Sequence, residues 1–190
     1  MSKLEDVVPL SPLQQGLHYL STVAAPSETE HDEPQVDPDA YTVQSVLRLT
    51  GDVDARRLHA SAQALLDRHA ALRTCFRPRK DGRVAGLVVK DTEVPWRSVD
   101  LSSTADPEAA LADLLDTDLH TWFDLTDPPL VRWTLIRLAA DDVRLLLTAH
   151  HTVVDGWSTP ILVRELLEIY AAGGSAAALP AVRPYRDYLK

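Results

Sequence analysis

Cysteine is almost absent from this chain of 190 residues: Cys75 stands alone. No internal disulfide can staple the fold, and a reducing, cytoplasmic compartment is expected. A basic surplus is missing too, since 19 Lys and Arg face 28 Asp and Glu, for a formal charge of −9. That balance argues against a nucleic-acid partner, which would need cations to displace counterions, and against an anionic membrane surface. Nowhere do 18 apolar residues run together, so no membrane span is expected. The opening MSKLEDVVPL carries charges among its first residues in place of an apolar signal core. Internal repeats and heptads are lacking as well.

What is present is ordinary globular material, 45% hydrophobic and 25% charged, enough for one core in one domain. Ser11 and Pro12 suit the start of a short amphipathic helix with Leu13, Leu17 and Leu20 on one face. Residues 21–39 carry Glu28, Glu30, Asp32, Glu33, Asp37 and Asp39 without one Lys or Arg, and read as a mobile, solvated loop. A strand over YTVQSVLRL (41–49) leads to a helix from Asp54 to His69 with Leu58, Ala62, Leu65 and Leu66 on its stripe. LRTCFR and VAGLVVK read as strands around Asp81-Gly82, and Asp106-Pro107 as a helix start. Leu111, Leu114, Leu115, Leu119 and Trp122 give that helix its buried side. Two apolar strands, LVRWTLIRL and VRLLLTAHH, joined at Ala140–Asp142, must be antiparallel neighbours. A last helix from Pro160 to Ala172 ends at Gly173-Gly174, where a left-handed cap is easily adopted. The fold class expected is α/β (α+β), a two-layer sandwich of helices packed on a mixed, largely antiparallel sheet.

LLLTAHHTVVDGWSTP (145–160) sets two histidines where an apolar strand runs out. On a regular strand Val143, Leu145, Leu147 and Ala149 share one face, continued by His151, while His150 turns the other way with Leu146 and Thr148. The pair therefore cannot share one metal, and no metal site is expected. His151, at a sheet margin beside Asp155 and a helix N-terminus, is placed for proton transfer. A satisfied core histidine is the alternative reading. Gly156 serves the turn or lends its N–H to a developing oxyanion; Trp157 is expected to pack and Ser158 to cap.

His150-His151-Thr152-Val153-Val154-Asp155-Gly156 resembles the HHxxxDG motif of nonribosomal peptide synthetase condensation domains, in the chloramphenicol acetyltransferase-like superfamily. PLSPLQQGLHYL resembles the family's first helix motif. RHAALRTCF resembles its RHExLRTxF motif through Arg68, His69, Leu72, Arg73, Thr74 and Phe76, with Ala70 where Glu is usual. The resemblance implies an N-terminal lobe over 1–190, with 174–190 starting a linker to a C-terminal lobe this chain lacks. It implies amide-bond formation, the α-amine of an acceptor attacking the thioester of a donor, each carried on the 4'-phosphopantetheine of a carrier domain. It implies no directly bound cofactor and an adjacent adenylation domain as a further partner. By the same resemblance His151 is the residue on which catalysis centres, within a site containing His150, Asp155 and Gly156. Asp155 pairs with an arginine, Arg73 being favoured over Arg68. SPLQQG and DGWSTPILVREL look like the subclass with a D-configured donor and an L-configured acceptor, and the isolated lobe is expected to be inactive. Three other readings stay open: a non-catalytic carrier-binding module, another HHxxxDG acyltransferase, and an HxxxxD glycerolipid acyltransferase, which the acidic composition disfavours.

Overall fold

The computed structural model describes residues 3–25 and 37–188. Its strands divide into two sheets where the sequence pattern suggests one. The smaller sheet holds β1 (Leu4–Pro9), β3 (Thr74–Pro78) and β4 (Val84–Val89) in the order β1-β4-β3, antiparallel throughout. The larger holds β2 (Thr42–Leu49), β5 (Trp96–Asp100), β6 (Val131–Ala139) and β7 (Asp142–His150) in the order β2-β7-β6-β5. Among the described strands only β5 and β6 run parallel. β1 and β5 escape sequence reading because neither has a clear apolar alternation.

The helices are α1 (Pro12–Ala24), α2 (Ala55–Arg68), α3 (Pro107–Leu119), α4 (Ser158–Ala171) and the short α5 (Tyr185–Tyr188). Their starts obey local chemistry. Ser11 and Gln14 form a reciprocal capping box on α1, and the side chains of Asp54 and Asp106 accept from Arg57 N–H and Ala109 N–H. α4 ends where Gly173 and Gly174 take φ of +75° and +93°.

The main core lies between the α2/α4 pair and one face of the larger sheet. Leu58, Leu65 and Leu66 of α2 and Leu162, Leu166 and Ile169 of α4 meet Val143, Leu145, Leu147 and Ala149 of β7. Leu146 points to the opposite face and packs with Ile136, Leu138 and Leu111 of α3. With helices over both faces, β6 and β7 are apolar nearly end to end, as their sequence shows.

Two expectations fail. The Leu13 and Leu20 stripe of α1 is not buried, with 71% and 49% of each residue exposed; α1 is held instead by its polar residues Gln14 and Ser21. The stretch 21–39 is not wholly a solvated loop either. Ser21–Ala24 belong to α1, and Ser21 and Asp39 are both buried. The remainder of that stretch, 26–36, lies outside the described residues. The tail returns to the body, with the Tyr185 hydroxyl on Gln14 Oε1 (3.3 Å) and Arg186 on Asp6 and the Val7 carbonyl.

Candidate active site

β7 pairs with β2 up to Thr42–His150, then stops, one residue earlier than the sequence suggests. His151 is the first residue of the turn. Its backbone N–H still donates to the Tyr41 carbonyl (2.8 Å), while its side chain leaves the sheet half-buried. There it lines a cavity of about 270 Å³ whose wall is mostly apolar, including Leu17, Ala71, Phe76 and Val154. The ring Nδ1 lies 3.1 Å from the Val154 carbonyl, which can only accept, so Nδ1 carries the proton and donates. The neutral ring then has its lone pair on Nε2, and among the described residues nothing hydrogen-bonds that nitrogen. An imidazole with one nitrogen tied down and the other free can take a proton from an amine brought into the cavity.

His150 is completely buried, so its place among the catalytic residues is corrected: a ring with no exposed surface touches no substrate. Thr152 N–H donates to its Nδ1 (3.2 Å), so the proton sits on Nε2 and faces Asp39 Oδ2 (3.1 Å). Ser21 Oγ–H donates to the same oxygen (2.5 Å), and Thr152 Oγ1 is 2.8 Å from Nδ1. Burial pushes the His150 pKa below its ordinary value, although the Asp39 charge opposes this. Sequence reading missed Asp39 because an acidic residue in an acidic, proline-bearing stretch looks solvated; its position two residues before Tyr41, where the strand was expected to start, was the available signal.

Asp155 organises the start of α4. Its Oδ1 accepts from Ser158 N–H (2.7 Å) and Trp157 N–H (3.2 Å), while Ser158 Oγ accepts from Asp155 N–H (2.7 Å). The Ser158 hydroxyl first, then the Ser158 and Trp157 N–H groups, hold the exposed carboxyl below the usual carboxylate range. Ser158 is itself the first residue of α4 and its hydroxyl accepts from no helix N–H, so the capping role expected of it falls to Asp155. Trp157 does not pack: it is 87% exposed. At about 100° per residue it lies roughly opposite the Leu162–Leu166–Ile169 stripe that α4 buries.

Gly156 has no positive φ, and a Cβ added there would meet nothing within 4 Å. The turn therefore does not demand glycine. Gly156→Ala is expected to leave the thermal midpoint unchanged, within about 0.5 kcal/mol of stability, as a melting curve would show. Any loss it causes will appear in turnover, through crowding of an incoming group.

Among the described residues Asp155 pairs with no arginine, which corrects the expected ion pair. Arg68 Nε instead donates to Glu165 Oε2 (2.8 Å) on α4, joined there by His69 Nε2 (2.7 Å), and a further Arg68 nitrogen reaches the Pro180 carbonyl. Burial raises the Glu165 pKa, but these two contacts outweigh it and the carboxyl sits below its ordinary value. Arg73 is buried and drawn to Glu5 Oε2 (2.5 Å), to the Val89 carbonyl (2.9 Å), and to the Leu66 and Asp67 carbonyls at the end of α2 (3.1 and 3.2 Å). The motif arginines thus tie α2 and its end to α4 and to the β1–β4 edge. Ala70 contributes only its carbonyl, to Thr74 Oγ1 (2.9 Å).

Residues 4–190 match the family model described as "Condensation domain". Malpinin synthetase of Mortierella alpina is 36% identical over 184 residues, covering 95% of this chain and 2% of that protein. Bacitracin synthase 3 of Bacillus licheniformis is 33% identical over 191 residues, covering 100% and 3% respectively. The first condensation domain of the calcium-dependent antibiotic synthetase, solved with a substrate analogue, superposes with a TM-score of 0.78 at 23% identity. That match covers 94% of this chain and 40% of that structure. The chain thus spans a few per cent of its curated relatives and under half of the solved domain.

Proposed function

The chain belongs to the condensation-domain family, and on that premise we propose that it is the N-terminal lobe of a two-lobe domain that joins two carrier-bound acyl groups through an amide bond. The observation that carries the reading is the His151 ring, its Nδ1–H spent on Val154 and its Nε2 free beside an apolar cavity.

A free α-amine has a pKa near ~8, so much of it is protonated at neutral pH. In an apolar cavity the charged form is disfavoured, and a neutral Nε2 can accept a hydrogen bond from the amine and orient it. The amine nitrogen attacks the donor thioester carbonyl, forming the C–N bond, and the C–S bond breaks. The proton leaving the nitrogen passes to Nε2 and from there to the departing sulfur, so the donor's phosphopantetheine arm leaves as a thiol. The product, longer by one acyl unit, stays on the acceptor's arm. Both arms belong to carrier domains, which with an adenylation domain are the partners proposed here. The SPLQQG and DGWSTPILVREL stretches support a D-configured donor and an L-configured acceptor.

The test is a competition in the complete two-lobe domain, in which D- and L-aminoacyl donor carriers are offered with one loaded acceptor carrier. Amide product is expected on the acceptor, predominantly from the D donor, and none from the 190-residue chain alone, on the proposal that the second lobe supplies the facing wall of the cavity. No product from the complete domain refutes the proposed activity. Product mainly from the L donor refutes the stereochemical part, and product from the chain alone refutes the need for a second lobe.

A further inference from the structure

His151 is fixed by its neighbours on both sides, and both lines of contact run to one buried carboxylate. On one side, Asp39 Oδ2 accepts from His150 Nε2–H (3.1 Å), and His150 Nδ1 accepts from Thr152 N–H (3.2 Å), immediately after His151. On the other, Asp39 Oδ1 accepts from Tyr41 N–H (2.9 Å), and the Tyr41 carbonyl accepts from His151 N–H (2.8 Å). Ser21 Oγ–H (2.5 Å) completes the shell, bringing α1 to the same carboxylate. Asp39 itself is 3% exposed. A buried carboxylate is retained only where donors compensate its lost hydration, and here three donors do so.

We propose that Asp39 is a positioning residue for amide formation, acting through His150 and Tyr41 on the turn that presents His151. This rests on the function proposed above. The two oxygens of Asp39 each face donors, so both must accept. Asparagine has one acceptor oxygen and one NH₂ donor, so Asp39→Asn sets a donor against either Tyr41 N–H or His150 Nε2–H and interrupts one of the two routes. Asp39→Ala interrupts both.

Both variants are to be made in the complete two-lobe domain, alone and combined with His151→Ala, with folding followed by circular dichroism. Imidazole proton positions are read from nitrogen-15 spectra of the histidines. A displacement of the ring near 1 Å can cost about 10²-fold in rate. The expected result is a kcat about tenfold or more lower for Asp39→Asn and about 10²-fold lower for Asp39→Ala, with KM changed less than kcat. In the His151→Ala background neither variant is expected to lower kcat further, because residues acting as a unit are not additive. Folded Asp39→Asn with the parent kcat overturns the proposal, as does a loss that multiplies that of His151→Ala. Should Asp39→Ala fail to fold, Asp39→Asn decides by the same two criteria. If the parent domain makes no amide at all, the proposed function fails. The spectra then judge Asp39 alone: an unchanged His151 proton on Nδ1 in folded Asp39→Asn overturns the positioning role, and its loss supports that role.

Discussion

His151→Ala will lower amide formation by the complete two-lobe domain by about 10²–10⁴-fold, the contribution typical of a positioned general base. The effect belongs to chemistry rather than folding. The side chain is half-buried and its one hydrogen bond goes to the Val154 carbonyl, a loss of about 1 kcal/mol. The backbone N–H that ties residue 151 to Tyr41 survives the substitution. Single-turnover rates set beside melting curves separate the two effects: the midpoint should move little while the rate collapses. Rates within a few-fold of the parent would mean that the ring neither accepts the proton nor orients the amine.

The second large effect is the reverse, stability without chemistry. Arg73→Ala leaves the Val89, Leu66 and Asp67 carbonyls without this donor and Glu5 without its cation. Unsatisfied buried groups cost about 1–3 kcal/mol each. Because Glu5 is partly exposed (42% of its side chain), water recovers part of its loss. The sum expected is about 3–5 kcal/mol, in line with the loss of one partner from a buried pair. For a chain of this size that lowers the thermal midpoint by about 6–20 °C. Arg73→Lys should recover little, since an ammonium cannot fork across carbonyls from two elements. A melting curve of the chain checks both variants. A shift under about 2 °C for Arg73→Ala would show that the end of α2 and the β1–β4 edge are held by other contacts.

What could be read from residues alone follows the strength of local chemistry. The caps at Ser11, Asp54 and Asp106 and the stop at Gly173-Gly174 were legible because each acts within a few residues. So were β6 and β7, whose apolar runs and short turn leave one pairing. The opposite orientations of Leu145 and Leu146 follow from strand geometry alone. β1 and β5 were not legible, because neither carries a clear apolar alternation and each is placed only by the strand it pairs with.

The site divides in the same way. His151 and the tight turn from Asp155 to Ser158 were local and readable. The fates of Arg68 and Arg73 were not, because both arginines are captured by acids far away in sequence, Glu165 and Glu5. Trp157 was misjudged from its residue type: large aromatics are usually buried, but this one lies off the stripe α4 buries. Asp39 was hidden by its acidic surroundings, and only the packed structure shows that the carboxylate is enclosed beneath the histidine turn.

The central claim is that a single imidazole, open at Nε2, serves bond formation. It is tested most directly by mixing loaded donor and acceptor carriers with the complete domain and following the acceptor's mass through one turnover. The account predicts that the acceptor gains the donor acyl group with the parent domain and fails to gain it with His151→Ala, while both carriers still bind. Equal acyl transfer by the two proteins would contradict it.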